Sequence, residues 1–357
     1  MIKVLELFAG IGACSKALER LGIEHEIVDA VEIDKYAIQA FNAIHGTNFE
    51  PQDITTCDKN IDVDLIMHGS PCQDFSMAGR QAGGDEGSGT RSSLMYETLR
   101  IVDKLRPKYV IWENVKNLLS KNHKHNFDKY IDTMRDMGYI SYYQVLNAKD
   151  YGIPKNRERV FTVCIREDIW DREYNNFHVF EFPTPFTLEK RLKDILEDNV
   201  DEKFYLSDRQ LMGMINTNYN SYKLSTLLKD EDGIANCIKA RFAGCPQLIP
   251  IKTANKKGYD LATNGDGIDL QYPNSTTRRG RVGHGISKTL MCGDLMGVVE
   301  NYTIRKLTPR ECYKLMGFDD EDFDKVKAKG MSNAQLYKQA GNSIVVDVLY
   351  YILKELL

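Results

Sequence analysis

Residues 3–12, Lys3-Val-Leu-Glu-Leu-Phe-Ala-Gly-Ile-Gly12, decide the fold. An apolar β-type run, Lys3 to Phe8, hands over through two glycines to an amphipathic stretch, Ala13 to Leu21, which Gly22 closes as a helix-terminal glycine does. Strand, glycine turn and helix in that order form the first unit of an open α/β sheet. Working outward, the pattern predicts strands at Glu26 to Ile33, Val63 to Met67, Tyr109 to Trp112, Tyr139 to Leu146 and Arg159 to Ile165. Helices are predicted at Lys35 to His45, Leu94 to Leu105 and Asn126 to Met137. This alternation implies a doubly wound α/β domain, a parallel sheet with helices on its faces.

The chain has 357 residues, 42% hydrophobic and 27% charged, enough for a large core and about two domains. No run approaches the roughly 18 uninterrupted apolar residues of a membrane span, and Glu6 interrupts the first apolar run too early for a signal peptide. A cytoplasmic protein is expected. The eight cysteines form no Cys-x-x-Cys pair and read as reduced thiols rather than zinc ligands. Regularity fades after Phe182-Pro-Thr-Pro-Phe186, where two prolines suit a linker. Ten of the 26 glycines fall between Gly233 and Gly297, which implies loops and short strands. Ile234 to Arg310 hold six Lys and six Arg against four Asp and one Glu, a local +7 in a chain of net charge −4. That segregation fits a polyanion partner better than the net charge does. Helical patterns return at Pro309 to Met316 and Ile344 to Leu356.

Several motifs fall at the carboxyl edge of the predicted sheet, where open α/β folds place their chemistry. Gly10 and Gly12 stand at a helix start, but Ser15 replaces the third glycine of a dinucleotide fingerprint, so a nucleoside without a diphosphate fits better. Glu32 follows at the spacing of an acid that takes ribose hydroxyls. Cys72, in Gly69-Ser-Pro-Cys72, follows the third strand, and its thiolate would be a strong nucleophile. The run Gly79 to Ser93 reads as a lid or a surface loop, and Thr90 in place of Lys excludes a phosphate loop. Glu113 ends the next strand and reads as either a general acid or a solvated helix-start residue. Arg157 and Arg159 alternate onto one face at the start of a later strand. His123 and His125 have no third ligand nearby and read as a solvated loop; no metal is expected.

In this order, Phe8-Ala-Gly-Ile-Gly12, Ser70-Pro-Cys-Gln73, Glu113-Asn-Val115, Arg157-Glu-Arg159 and Gln339-Ala-Gly-Asn-Ser343 resemble the C5-cytosine DNA methyltransferase family of bacteria and phages. The resemblance covers roughly the first 165 residues and the last 50, including Arg305-Lys-Leu-Thr-Pro-Arg-Glu311. It implies a Rossmann-like, S-adenosylmethionine-dependent catalytic domain, residues 1–185 and 325–357. A smaller, irregular target-recognition domain, residues 186–324, would be inserted before the C-terminal helix.

The resemblance also implies that Cys72 adds to carbon 6 of a flipped cytosine, Glu113 holds N3 and the exocyclic amine, Arg159 holds the C2 carbonyl and Arg157 supports the site. Phe8, Gly10, Gly12, Glu32, Ile33, Asp53, Asn342 and Ser343 would surround S-adenosylmethionine, leaving S-adenosylhomocysteine as product. Arg278, Arg279, Arg281 and Lys288 would contact duplex DNA. Two positions depart from the family pattern: Ile33 stands where an aromatic residue often stacks on adenine, and Ala13 where glycine is common. A monomer is expected, and a cognate restriction endonuclease of a restriction-modification system is a candidate partner. The alternatives are a transfer-RNA cytosine-5 methyltransferase, which the long insert disfavours, and an inactive DNA-binding regulator, which Cys72, Glu113 and Arg159 disfavour. A nicotinamide oxidoreductase is disfavoured by Ser15.

Overall fold

Alternation along β1 (Ile2–Leu7) sends Val4 to one face of a sheet and Leu5 and Leu7 to the other, so the strand is buried on both sides. The computed structural model describes residues 1–71, 91–173, 179–214, 249–290, 292–293, 295–300 and 303–357. After β1 come α1 (Ala13–Leu21), β2 (His25–Val31), α2 (Lys35–His45), β3 (Leu65–His68), α3 (Met95–Leu105) and β4 (Tyr109–Val115). They are followed by α4 (Lys124–Asp136), β5 (Tyr139–Asn147), β6 (Glu158–Arg166) and α5 (Glu167–Glu173). Nearly every predicted element stands within two residues of its expected bounds.

The sheet order is β2-β1-β3-β4-β6-β5. β1 pairs in parallel with β2 and β3, and β3 with β4, as expected. β6 departs from the expected parallel sheet, for it runs antiparallel to both β4 and β5. The physical reason is the connection: residues 148–157 hold only one 3-10 turn, too little for the helical crossover a parallel return requires. One face of the sheet packs on α1 and on α10 (below); the other packs on α3 and α4 through Leu99, Val102, Phe127 and Tyr130.

The middle of the chain contributes α6 (Asp208–Met214) and six short strands. β7 (Ile249–Lys252) and β8 (Tyr259–Ala262) form a hairpin. β9 (Gly267–Asp269), β10 (Val282–Gly283), β11 (Met296–Glu300) and β12 (Thr303–Lys306) form an antiparallel sheet in the order β10-β9-β11-β12. Leu206, Leu211, Ile251, Ile268, Val299 and Ile304 share a separate small core.

Four helices close the chain: α7 (Pro309–Lys314), α8 (Asp320–Ala328), α9 (Asn333–Asn342) and α10 (Val346–Leu356). Leu307, Tyr313, Phe318, Phe323 and Val326 pack in the first core with Leu349 and Ile352, and so does Leu192 from upstream. The expected edge at residue 324 therefore passes through α8. α8 and α9 were not anticipated, because each offers few apolar positions; the Asp319–Asp322 capping box and the Ser332 cap on Gln335 N–H were their sequence signals. Among the described residues no helix is long and apolar enough to cross a membrane.

Candidate active site

The glycine turn after β1 is built from positive backbone angles: φ is 52° at Phe8, 56° at Gly10 and 81° at Gly12. A Cβ on Gly12 would overlap the His45 ring and crowd Phe41, so only glycine lets α1 start here. Burial holds His45 down to about 4, hence neutral, with its Nε2 3.3 Å from the Ile11 carbonyl. Beneath the turn, buried Glu6 accepts from Ser15 N–H at 3.0 Å and from Ser15 Oγ at 2.5 Å; burial pushes its carboxyl up to about 7. Ser15, read in the sequence only as a missing glycine, thus has a definite task. Glu32, just past β2, joins the two turns. Its Oε2 accepts from Gly10 N–H at 3.1 Å and its Oε1 from Asp34 N–H at 2.9 Å, while burial raises its pKa.

A cleft opens in front of this turn, and its lining brings Phe8 and Gly10 together with Gly69, Glu113, Asn342 and Ser343. These residues come from the exits of β1, β3 and β4 and from the end of α9 with the residue after it. Ser343 tops α9 at the mouth, and Asn342 Oδ1 accepts from the Cys292 thiol at 2.7 Å. Gly12, Glu32, Ile33 and Asp53 do not line the cleft. Gly12 caps α1 behind it, Ile33 is 69% exposed, and exposed Asp53 caps the following 3-10 turn by accepting from Thr55 N–H at 2.9 Å.

The catalytic wall is the β3–β4–β6 edge. Trp112 Nε1 donates to Ser70 Oγ at 3.0 Å, and Asn114 Nδ2 donates to the Ser70 carbonyl at 3.3 Å. These two contacts, invisible in the sequence, fix the backbone leading to Pro71. Cys72 lies outside the described residues, as does the Gly79–Ser93 run except for residues 91–93, which open a 3-10 turn before α3. Glu113 Oε1 stands 2.9 Å from Arg159 Nε, with both side chains largely buried. The contact is Coulombic, since no aligned hydrogen bond reaches Oε1 among the described residues, and Glu113 keeps hydrogen-bonding capacity toward the cleft. Arg157 is buried, and its Nη2 donates to the Ser343 carbonyl at 3.0 Å. The two arginines therefore divide the work: one meets the carboxylate, the other holds the C-terminal wall. Next to them, fully buried Lys155 donates to the Met316 thioether at 2.6 Å, and burial holds it well below the usual ammonium range.

On the target side, Arg279 is exposed, with Nε donating to the Ala254 carbonyl at 3.1 Å, and Lys288 is half-buried. Arg278 pairs with Asp269 at 2.6 Å. Arg281 corrects the sequence reading. It is 1% exposed, and its guanidinium donates to the carbonyls of Asp269, Gln271 and Tyr272, so it has no surface to offer DNA. His123, expected in solvent, is likewise buried, at the start of α4. Among the described residues no cluster of three or more His, Cys, Asp or Glu side chains could hold a metal.

Residues 2–357 match the family C-5 cytosine-specific DNA methylase. The type II methyltransferase M2.ScrFI of Lactococcus lactis subsp. cremoris is 33% identical, covering all of this chain and 99% of that one. The orphan methyltransferase M.SPRI of Bacillus phage SPR is 30% identical over all of this chain and 97% of its own. Among solved structures, a Spodoptera frugiperda DNMT2 mutant matches with a TM-score of 0.63 at 21% identity, covering 100% of this chain and 99% of that one, a likeness of fold. The glycine turn, Glu113 and the C-terminal wall line one cleft, Arg159 stands 2.9 Å from Glu113, and the family covers residues 2–357 of the chain, so the protein belongs to the C-5 cytosine-specific DNA methylases.

Proposed function

We propose that this DNA cytosine methyltransferase acts on carbon 5 of a cytosine flipped out of a specific duplex sequence, with Cys72 as nucleophile. The observation that supports this most is Glu113, met by Arg159 at 2.9 Å, lining the same cleft as Phe8, Gly10, Asn342 and Ser343. Phe8, Gly10, Asn342 and Ser343 line it, Glu32 braces Gly10, and Ile33 offers an exposed apolar face nearby; this set suits a nucleoside that carries an amino-acid tail and no phosphate. S-adenosylmethionine, the family's methyl donor, supplies an electrophilic sulfonium methyl.

The Cys72 thiolate adds to carbon 6 and moves electron density onto carbon 5. Glu113 places a proton at N3, where the adduct would otherwise carry negative charge, and accepts from the exocyclic amine. Arg159 holds both the Glu113 carboxyl and the C2 oxygen. After methylation a water takes the carbon-5 proton, the C6–S bond breaks to release the Cys72 thiolate, and N3 returns its proton to Glu113. Flipping costs a few kcal/mol of stacking and pairing, which the Gly79–Ser93 segment offsets as a lid.

The target-recognition unit is expected over 186–324; the small separate core of Leu206, Leu211, Ile251, Ile268, Val299 and Ile304 supports a unit of its own there, while Leu192, Leu290, Met296 and Val298 pack with the catalytic domain. Arg278, Arg279 and Lys288 remain its candidate DNA contacts. The enzyme is proposed to work as a cytoplasmic monomer. A restriction endonuclease sharing its target is the partner expected of a type II methyltransferase. The test is labelled methyl transfer to duplex DNA, single-stranded DNA and transfer RNA: duplex-selective transfer supports the reading, and labelling of transfer RNA alone overturns it.

A further inference from the structure

We propose that Tyr272 determines which duplex sequence is methylated, and that buried Arg281 is the positioning residue that holds it. This rests on the duplex-DNA reading above. Tyr272 is 73% exposed and has φ of 45°, a left-handed conformation that a bulky residue avoids and that glycine or asparagine would relieve. Folding therefore gives no reason for a tyrosine here. Such strain persists only where the surroundings over-determine it, and the surroundings do so from two sides. From below, the Arg281 guanidinium donates to the carbonyls of Asp269 at 3.1 Å, Gln271 at 2.6 Å and Tyr272 at 2.5 Å. From the side, the Arg278 guanidinium lies 5.9 Å from the Tyr272 ring centroid and donates to Asp269 and to Gln271 Oε1.

The loop is also mounted on the catalytic wall. Just beyond Arg281, Ser287 N–H donates to the Pro154 carbonyl, Asn156 N–H to the Ser287 carbonyl and Thr289 Oγ1 to the Asn156 carbonyl, immediately before Arg157 and Arg159. On its other flank, Ala254 N–H donates to the Arg278 carbonyl, which sets the turn carrying Lys256 and Lys257 beside Arg279. The surface thus joins cations, which attract phosphates of any sequence, to one rigid aromatic with a hydroxyl, which can pack on a thymine methyl or hydrogen-bond a base edge.

The test sequences the methylated sites in a random duplex library treated with full-length enzyme, alongside the salt dependence of DNA binding. Tyr272→Gly should cut the preference for the best site over its single-base neighbours by at least about tenfold, with the salt slope unchanged. Arg281→Met should do the same and add nothing on top of Tyr272→Gly, because it acts through that residue. Arg279→Ala should instead weaken all sites alike and lower the salt slope by about one. An unaltered site preference in Tyr272→Gly, or additive effects of the two changes, overturns the proposal while duplex methylation itself stands. Wild-type enzyme that methylates no duplex overturns the reading beneath it as well.

Discussion

At the cleft, charge meets charge: Arg159 faces Glu113, and on the proposed function both exchange that contact for a cytosine. In the loop at 269–281, the Arg281 guanidinium meets three backbone carbonyls and is permanently committed. On the proposed readings the difference separates an arginine that takes part in chemistry from one that builds the platform for recognition, although both read alike as positive charge in a sequence. It also separates the two regions energetically, since a pair that must exchange partners cannot be locked, whereas a scaffold gains from being so.

The strongest way to break the contrast is to remove the exchangeable pair. Glu113→Ala should lower single-turnover methyl transfer by about 10²–10⁴-fold, the range for a positioned proton donor. Adding Arg159→Ala should cost less than its separate effect, because the two share one interaction. A full additive loss would show that they act independently.

A second break targets a charge buried deep among the described residues. Arg305, fully buried, donates to both oxygens of buried Glu311 at 2.9 and 2.8 Å and to Glu300 at 2.7 Å, joining β11, β12 and α7. Arg305→Met leaves a carboxylate buried without its cation and should lower unfolding free energy by about 3–5 kcal/mol in urea titrations.

The same logic predicts an acid limb. Burial lowers the His68 imidazole from 6.5 to about 3, so the fold keeps it neutral, while the unfolded chain takes a proton below pH 6.5. Its contribution is whole above that pH and is lost as pH falls toward 3. His68→Phe should reduce the stability lost between pH 7 and pH 5 by about 2 kcal/mol; identical pH profiles for wild type and variant would contradict the assignment. The smallest effect belongs to the cofactor rim. Ile33→Trp, placing a ring on an exposed aliphatic position, should tighten S-adenosylmethionine binding by about 0.5–1.5 kcal/mol in calorimetry.

What the sequence made legible follows the reach of its signals. Periodicity and helix-ending glycines are local, so the α/β alternation and the glycine turn could be read directly, and the ordered motifs marked Glu113 and Arg159. The reversal of β6 depended on a connection too short for a crossover, and α8 and α9 on caps rather than apolar faces. The grip of Trp112 and Asn114 on Ser70, the Ser15–Glu6 bond and the burial of Arg281 are tertiary contacts with no periodic signature. Charge is visible in a sequence, but its partner is not.

On this account a Cys72 adduct at carbon 6 turns carbon 5 into the nucleophile that takes the methyl group from S-adenosylmethionine. The most direct test is to digest duplex DNA after transfer of labelled methyl by wild type and by Cys72→Ser, and to identify the labelled nucleoside. The account predicts 5-methylcytosine from wild type and none from the variant. Label on the exocyclic amine, which needs no attack at carbon 6, or 5-methylcytosine formed by Cys72→Ser, would contradict it.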